Sequence, residues 1–411
     1  MPPRVHRVCM VSMHTSPAQA PGTGDSGGMN VALLATAHEL ALRGVAVDLV
    51  TRSVGPASVT EVEPDVVVHE LPAGPPGPVP KAELPGLTRE FGEQLARLAA
   101  RPGRGFDVIH AHYWLSGMAA QAVASDLGVP FVQSFHTLGA MKNQRLAPGQ
   151  RAEPARRLSG EQFLALRARA VVTGSSVEAT ALIDDMGADA ERIWVVPPGV
   201  DVALFRPERR DEAEARVRGE WGIGAGRPIL VVVGRVQPLK GQLLAVRALA
   251  QLHRLRGWAP VLLIAGAATP GDDGYLEALR RLASELGVAD SVRFVGALSR
   301  AQLADVLAVA TITLVPSYSE TFGLVALESA ASGTPVIGYR DTGLIESVAD
   351  GRSGMLLDSR EPSVWAESIQ GLLDDPSSLT ALSGSARLHA LEFSWGASVT
   401  TLLGVYGGLL T

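Results

Sequence analysis

Two doubly wound, Rossmann-like α/β domains facing a cleft are what this sequence predicts, and three observations predict them. Strand-like and helix-like stretches alternate along the chain, which calls for parallel sheets. The alternation breaks near residues 200–225, at Pro207 and a charged run (ERRDEAEARVRGEW), and then starts again. With 411 residues, the chain has room for two to three domains of about 150 residues each.

The first strand is expected at Val5–Val11, followed by a loop rich in Gly, Ser, Thr and Pro from Ser12 to Gly28. A helix over Met29–Arg43 carries apolar residues at Val31, Leu34, Ala37, Leu40 and Ala41, and Gly44 stops it. Val45–Val50 completes a βαβ unit. Further strands are expected at Val66–His69, Val108–Ala111, Phe131–Phe135, Ala170–Gly174 and Ile193–Val196. The second half opens on Ile229–Val233 (ILVVV), an apolar run suited to a strand buried on both faces. Helix Gly241–Arg256, strand Pro260–Ile264, helix Tyr275–Leu286, strand Val292–Val295, helix Arg300–Ala310, strand Thr313–Val315, helix Leu324–Ser332 and strand Pro335–Ile337 follow. The domains are placed at residues 1–205 and 206–392. Tandem sheets of this kind bind ligands at the carboxyl ends of their strands, in the cleft between them.

Composition narrows the function. A formal net charge of −6 argues against a general nucleic-acid binder. The single cysteine, Cys9, excludes an internal disulfide and favours a reducing compartment. No apolar run reaches the roughly 18 residues of a membrane span, and residues 1–12 do not read as a secretory signal. The expectation is a cytoplasmic protein without a membrane span.

Three segments carry chemistry. The Gly-rich stretch Gly22–Asn30 leaves the first strand and opens the first helix, where missing β-carbons and helix N–H groups favour anions. Its glycines, including Gly27 and Gly28, do not follow G-x-G-x-x-G, and Asp48 is a poor ribose ligand because it lies inside the next strand. The loop Gly234–Gly241 sets Arg235 and Lys240 between a strand end and a helix start, a natural diphosphate clamp. In PSYSETFGLVALE, Glu320 precedes a helix and Glu328 lies two turns along it; each carboxylate can accept two sugar hydroxyls. The plainer readings are a turn for the glycines, solvated charge for the cations, dipole compensation for Glu320 and an exposed helical charge for Glu328. His110, His112 and Tyr113 cluster after one strand and His136 with Thr137 after the next. No third ligand beside His110-x-His112 and no Asp-x-Asp pair suggests a metal, and no Walker loop is present.

In combination these motifs resemble the retaining glycosyltransferases of family four, with the GT-B fold, along nearly the whole chain. The most specific pieces are Gly234–Lys240 and the Glu320/Glu328 pair in ETFGLVALE. The N-terminal half is most similar to the MshA-like branch, which glycosylates D-inositol 3-phosphate, at His14–Asn30, Lys81–Pro85, His112–Gly117, His136-Thr137-Leu138, Lys142-Asn143 and Val196–Pro207. The resemblance implies a nucleotide-sugar donor (UDP or GDP), a small anionic acceptor, no tightly bound cofactor and no protein-ligated metal. It leaves room for a homodimer, and it implies a C-terminal helix, about 393–411, packed back on the first domain. It places Arg235 and Lys240 on the donor diphosphate, Glu328 on the ribose and Glu320 on the hydroxyls of the transferred sugar. Thr321, Phe322, Gly323 and Leu324 would line the donor. Gly27 and Gly28 would face the donor phosphate and His136 the sugar near the reacting carbon. His136, Glu320, Arg235 and Lys240 are thereby the catalytic set. Lys81, Tyr113, Thr137 and Arg157 would hold the acceptor phosphate and Asn30 orient the inositol. The plain reading of Arg157 is a helical pair with Glu161.

Three departures from the MshA-like pattern keep alternatives open. The loop after Pro260–Ile264 reads Ala265-Gly266-Ala267-Ala268-Thr269-Pro270, a donor-side loop reads Asp341-Thr342-Gly343-Leu344-Ile345, and Ala32 replaces a tyrosine. One alternative is a natural-product enzyme on the same scaffold, for example joining a lincosamide-type sugar nucleotide to the thiol of ergothioneine. Another is a non-catalytic sugar-nucleotide-binding subunit. An epimerase of the same fold would need an acid/base pair that no residues supply.

Overall fold

The computed structural model describes residues 5–19, 22, 26–103, 105–268, 273–341 and 343–411. Positions 23–25 of the Gly-rich loop, Thr269 and Pro270, and Thr342 lie outside them.

Among the described residues, the first sheet has strands β1 (Arg7–Val11), β2 (Ala46–Arg52), β3 (Ser58–Glu63), β4 (Val66–Leu71), β5 (Val108–His112), β6 (Phe131–Ser134), β7 (Ala170–Thr173) and β8 (Ile193–Val195). Their order is β3-β4-β2-β1-β5-β6-β7-β8, and every pairing except the antiparallel β3–β4 is parallel. The second sheet has β9 (Ile229–Val233), β10 (Val261–Ala265), β11 (Val292–Gly296), β12 (Ile312–Val315), β13 (Val336–Tyr339) and β14 (Gly354–Leu357), in the all-parallel order β11-β10-β9-β12-β13-β14. Both sheets reverse direction at the first strand of the set, between β1 and β5 and between β9 and β12. These switch points are where an open α/β sheet leaves a crevice beyond its strand ends.

The apolar strands account for the cores. Val8, Met10, Leu49, Val68, Val108 and Val132 share one face of the first sheet, and Cys9, Val11, Ile109 and Phe131 the other. Alternate residues point to opposite faces and both faces are covered by helices, so the strands read as continuous apolar runs. Asp48 is an interior exception: it holds His69 at 2.6 Å and Arg7 at 2.7 Å.

The sequence misses two strands. β3 (SVTEVE) is an exposed edge strand with little apolar signal, and β14 (GMLL) is four residues long. The charged run after Pro207 is a regular helix, Arg209–Glu220, fastened to the second domain by Arg209 and Arg216 on Asp305. The last helix, Trp395–Leu409, crosses back to the first sheet, where Val399, Leu402, Val405 and Tyr406 join the core of β1, β2 and β5.

Candidate active site

A cleft of about 400 Å³ opens between the two sheets, within the range typical of small-molecule sites. Its walls come from the ends of β1, β5, β6, β7, β9, β10 and β12 and from the starts of helices Gly28–Ala41 and Leu324–Ala331. Two glycines show how tightly it is built. A β-carbon on Gly28 would stand 3.3 Å from Leu324 Cδ1 in the opposite domain. Gly266 has φ +146°, and its β-carbon would collide with the Gly234 carbonyl at 2.1 Å.

On the second domain the predicted cations and carboxylates come together as pairs. Lys240 Nζ lies 2.6 Å from Glu320 Oε1. Glu328 is buried rather than exposed, and it pairs with Arg300, whose guanidinium also covers the Phe205 ring. Burial raises the Glu328 carboxyl, and Arg300 counters that rise. Arg235, Thr321, Phe322, Gly323 and Leu324 line the same wall. Thr321 reaches across the cleft and donates to the His136 carbonyl. Arg300 was not among the expected site residues; it lies 28 positions before its carboxylate, in a helix with no glycine-rich or paired-charge motif.

On the first domain, Gly27, Gly28, Lys81, Tyr113, His136 and Thr137 line the cleft. Lys81 Nζ stands 5.0 Å from the Tyr113 ring centre, and the Arg157 guanidinium is at the same distance. Tyr113 and His136 hold φ of 73° and 59°. Such backbone costs about 1–3 kcal/mol for a residue other than glycine and concentrates at functional sites. His14 and Lys142, absent from the expected site, also line the cleft. Burial first, then Lys81 and the other positive groups around it, holds His14 well below the usual histidine range. Burial and the Arg157 charge bring Lys142 down to about 8, against the pull of Glu153 at 3.2 Å. Glu178, 2% exposed, is pushed up to about 8 by burial.

Two expected acceptor residues are not on the cleft wall. Asn30 is 1% exposed and ties its own loop: Nδ2 donates to Ser16 O at 2.7 Å and Thr15 Oγ1 at 3.2 Å, while Oδ1 accepts from Gly27 N–H. Arg157 sits behind Thr137. Nε meets Glu161 at 2.6 Å, Nη1 meets Glu153 at 2.9 Å, and Nη2 donates to the Thr137 carbonyl and hydroxyl at 2.8 and 2.7 Å. The helical pair with Glu161 therefore exists, and the remaining guanidinium edge holds Thr137 toward the cleft. Spacing along the chain does not distinguish a wall residue from the one behind it.

The chemistry on offer is an anion-receptive first wall of lysines and hydroxyls, a second wall of cation–carboxylate pairs, and neutral histidines between them. Among the described residues, no helix is long and apolar enough to cross a membrane, and no three His, Cys, Asp or Glu side chains are grouped to hold a metal ion.

Comparison with known proteins agrees with this architecture. Residues 26–204 match the model described as Glycosyltransferase Family 4, and residues 214–389 match Glycosyl transferases group 1. A protein of Stackebrandtia nassauensis named D-inositol 3-phosphate glycosyltransferase is 42% identical over 98% of this chain and 91% of its own. One of the same name from Mycolicibacterium smegmatis is 42% identical over 97% and 90%. Among solved structures, the sucrose-phosphate synthase of Thermosynechococcus elongatus superposes with a TM-score of 0.89 at 29% identity, over 98% of this chain and 99% of that one. The glycosyltransferase WaaG, at 17% identity and a TM-score of 0.74, shares the fold. The expectations of a GT-B fold and of a glycosyltransferase hold: the chain belongs to the family-four, group 1 glycosyltransferases, enzymes that join a nucleotide-sugar donor to an acceptor with retention.

Proposed function

We propose that this enzyme transfers N-acetylglucosamine from its uridine diphosphate to D-inositol 3-phosphate. The observation that carries the reading is the first wall of the cleft. Lys81 and Lys142 stand beside the hydroxyl-bearing Tyr113 and Thr137, with Arg157 directly behind, facing Arg235 and Lys240. Lysines and hydroxyl donors suit a phosphate, and a second set of cations across the gap suits a leaving diphosphate. The name shared by the curated relatives favours this acceptor over a thiol.

In this reading the acceptor hydroxyl attacks the anomeric carbon from the face that the diphosphate leaves. The carbon–oxygen bond to phosphate breaks, the bond to inositol oxygen forms, and the proton passes to the departing phosphate oxygen. Arg235 and Lys240 offset the charge that develops on that oxygen. The Lys240–Glu320 pair fixes the ammonium and leaves it two further hydrogens to donate. Glu320 accepts hydroxyls of the transferred sugar and Glu328, steadied by Arg300, those of the ribose. Closure of the two domains around the substrates excludes water that would otherwise hydrolyse the donor.

The test offers UDP-N-acetylglucosamine with inositol 3-phosphate, free inositol and ergothioneine, and reads the anomeric configuration of any product by NMR. A retained product from inositol 3-phosphate alone is expected. Transfer only to the thiol, or equal use of free inositol, overturns the reading.

A further inference from the structure

Lys81 stands at the end of a segment that is neither helix nor strand. Residues 72–80 run to it from the end of β4, and Pro72, Pro75, Pro76, Pro78 and Pro80 fall within them. Proline has no N–H, so the carbonyls of such a stretch find few backbone donors close by. Its ring also fixes φ, which leaves the bending freedom of the segment to Ala73, Gly74, Gly77 and Val79. The two glycines hold φ of 70° and 101°, and a glycine is the softest joint a chain can have.

Arg52 grips these joints. It is the last residue of β2, paired with Leu71 at the end of β4, and is only 6% exposed. Nε donates to the Ala73 carbonyl at 2.7 Å, Nη2 to that of Pro75 at 2.5 Å and Nη1 to that of Gly77 at 3.1 Å. The planar fork thus spans Gly74 and reaches Gly77, which the compact ammonium of a lysine does not reproduce. The glycine N–H groups are held too, Gly74 by Glu90 Oε2 at 2.9 Å and Gly77 by the Val54 carbonyl at 2.7 Å. Val79 packs on the core of the first domain. Two residues on, Lys81 carries its Nζ to 5.0 Å from the Tyr113 ring centre. Burying a guanidinium is costly unless its hydrogen bonds are made, and here three of them hold the one segment that delivers this lysine.

We propose that Arg52 is a positioning residue of the acceptor site. It lies off the cleft wall and, by fixing the Pro-rich segment, sets where Lys81 meets the anionic group of the acceptor. The proposal rests on the function proposed above and adds to it the group that places the lysine.

A double-mutant cycle tests this. Wild type, Arg52→Met, Lys81→Ala and the double variant are compared by kcat/KM for inositol 3-phosphate and by donor KM, after thermal melts establish that each is folded. Arg52→Met is expected to lower the acceptor value by about threefold to tenfold, no more than Lys81→Ala does, with donor KM unchanged. In the Lys81→Ala background it is expected to cost nothing further, because residues acting through one contact are not additive. Hydrogen exchange at the Gly74 and Gly77 amides is expected to quicken in Arg52→Met. If Arg52→Met does not fold, the cycle is run with Arg52→Lys, which keeps stem and charge and is expected to show part of the same loss. An equal Arg52 effect with and without Lys81, a matching rise in donor KM, unchanged kinetics or unchanged exchange would each mean that Arg52 only stabilises its domain, and overturns the proposal. The function proposed above is read separately, from wild type alone: if wild type ignores inositol 3-phosphate, that function fails, and the cycle is run on the acceptor that wild type does use. Lys81→Ala silent on that acceptor overturns both.

Discussion

The two walls of the cleft solve opposite problems. On the second domain two cations are each matched with a carboxylate, Lys240 with Glu320 and Arg300 with Glu328. On the first domain Arg157 meets Glu153 and Glu161 from behind the wall and shares Glu153 with Lys142, while Lys81 and Lys142 face the cleft. Paired charges make a pre-organised surface for hydroxyls and a leaving diphosphate. Positive charge in excess makes a surface that gains from receiving an anion. Lys142 is held down first by burial and then by the Arg157 charge.

The largest effect separating the walls is expected at Arg157. Removing one member of a buried ion pair strands the other, at a cost of about 3–5 kcal/mol. Arg157→Met should therefore lower stability by that order in a denaturant titration, and Lys240→Met, whose partner Glu320 reaches solvent, by much less. Comparable losses would break the distinction between a buttress and a wall residue.

On the donor side, Arg235→Ala and Lys240→Ala should each cost about 1.5–3 kcal/mol of donor kcat/KM, the worth of a charge-assisted contact. Glu328→Gln should weaken binding of the bare nucleoside diphosphate, while Glu320→Gln should leave that binding nearly intact and impair transfer. Steady-state kinetics with UDP titrations distinguish the two, and identical behaviour of both carboxylate variants would remove the division of labour.

A pH experiment sharpens the contrast further. Lys142 has a folded value of about 8, below its ordinary one. Its contribution to stability is thus present above the ordinary lysine value and is lost as pH falls through about 8. Acceptor affinity runs the other way, because an anion binds the charged form. KM for the phosphorylated acceptor should rise as pH passes 8, and Lys142→Met should flatten that rise. Glu178 titrates in the same region, so the comparison between variant and wild type isolates the lysine.

The smallest effect concerns the C-terminal helix. Tyr406→Phe removes the donor to His110 Nδ1 and should cost about 1–3 kcal/mol of stability. Nitrogen NMR should then show the His110 Nδ1 signal shift while Nε2, which donates to Ser134, keeps its proton; a purely packing role for Tyr406 would leave the Nδ1 signal in place.

How much of this was legible in the sequence follows from where the bonds run. The second wall was readable because Arg235, Lys240, Glu320 and Glu328 sit in two short segments at strand ends. Arg300, Lys142, His14 and Tyr406 were not assigned to the site, because each becomes informative through a partner or wall position set by tertiary packing; Tyr406 meets a histidine 296 positions away. Asn30 and Arg157 carry the right chemistry in the right segment but sit behind the wall, a distinction of depth that spacing does not encode. The edge strand β3 escaped notice because its residues are mostly exposed and give no core pattern.

The claim at the centre of this account is that the first wall recognises an anionic group on the acceptor. It is tested most directly by measuring kcat/KM for inositol 3-phosphate and for free inositol, each with wild type and with Lys81→Ala. The account predicts that the substitution lowers the value for the phosphorylated acceptor by about tenfold or more, as loss of a charge-assisted contact should, and leaves the much lower value for free inositol unchanged. An equal loss on both acceptors, or none on either, would contradict it.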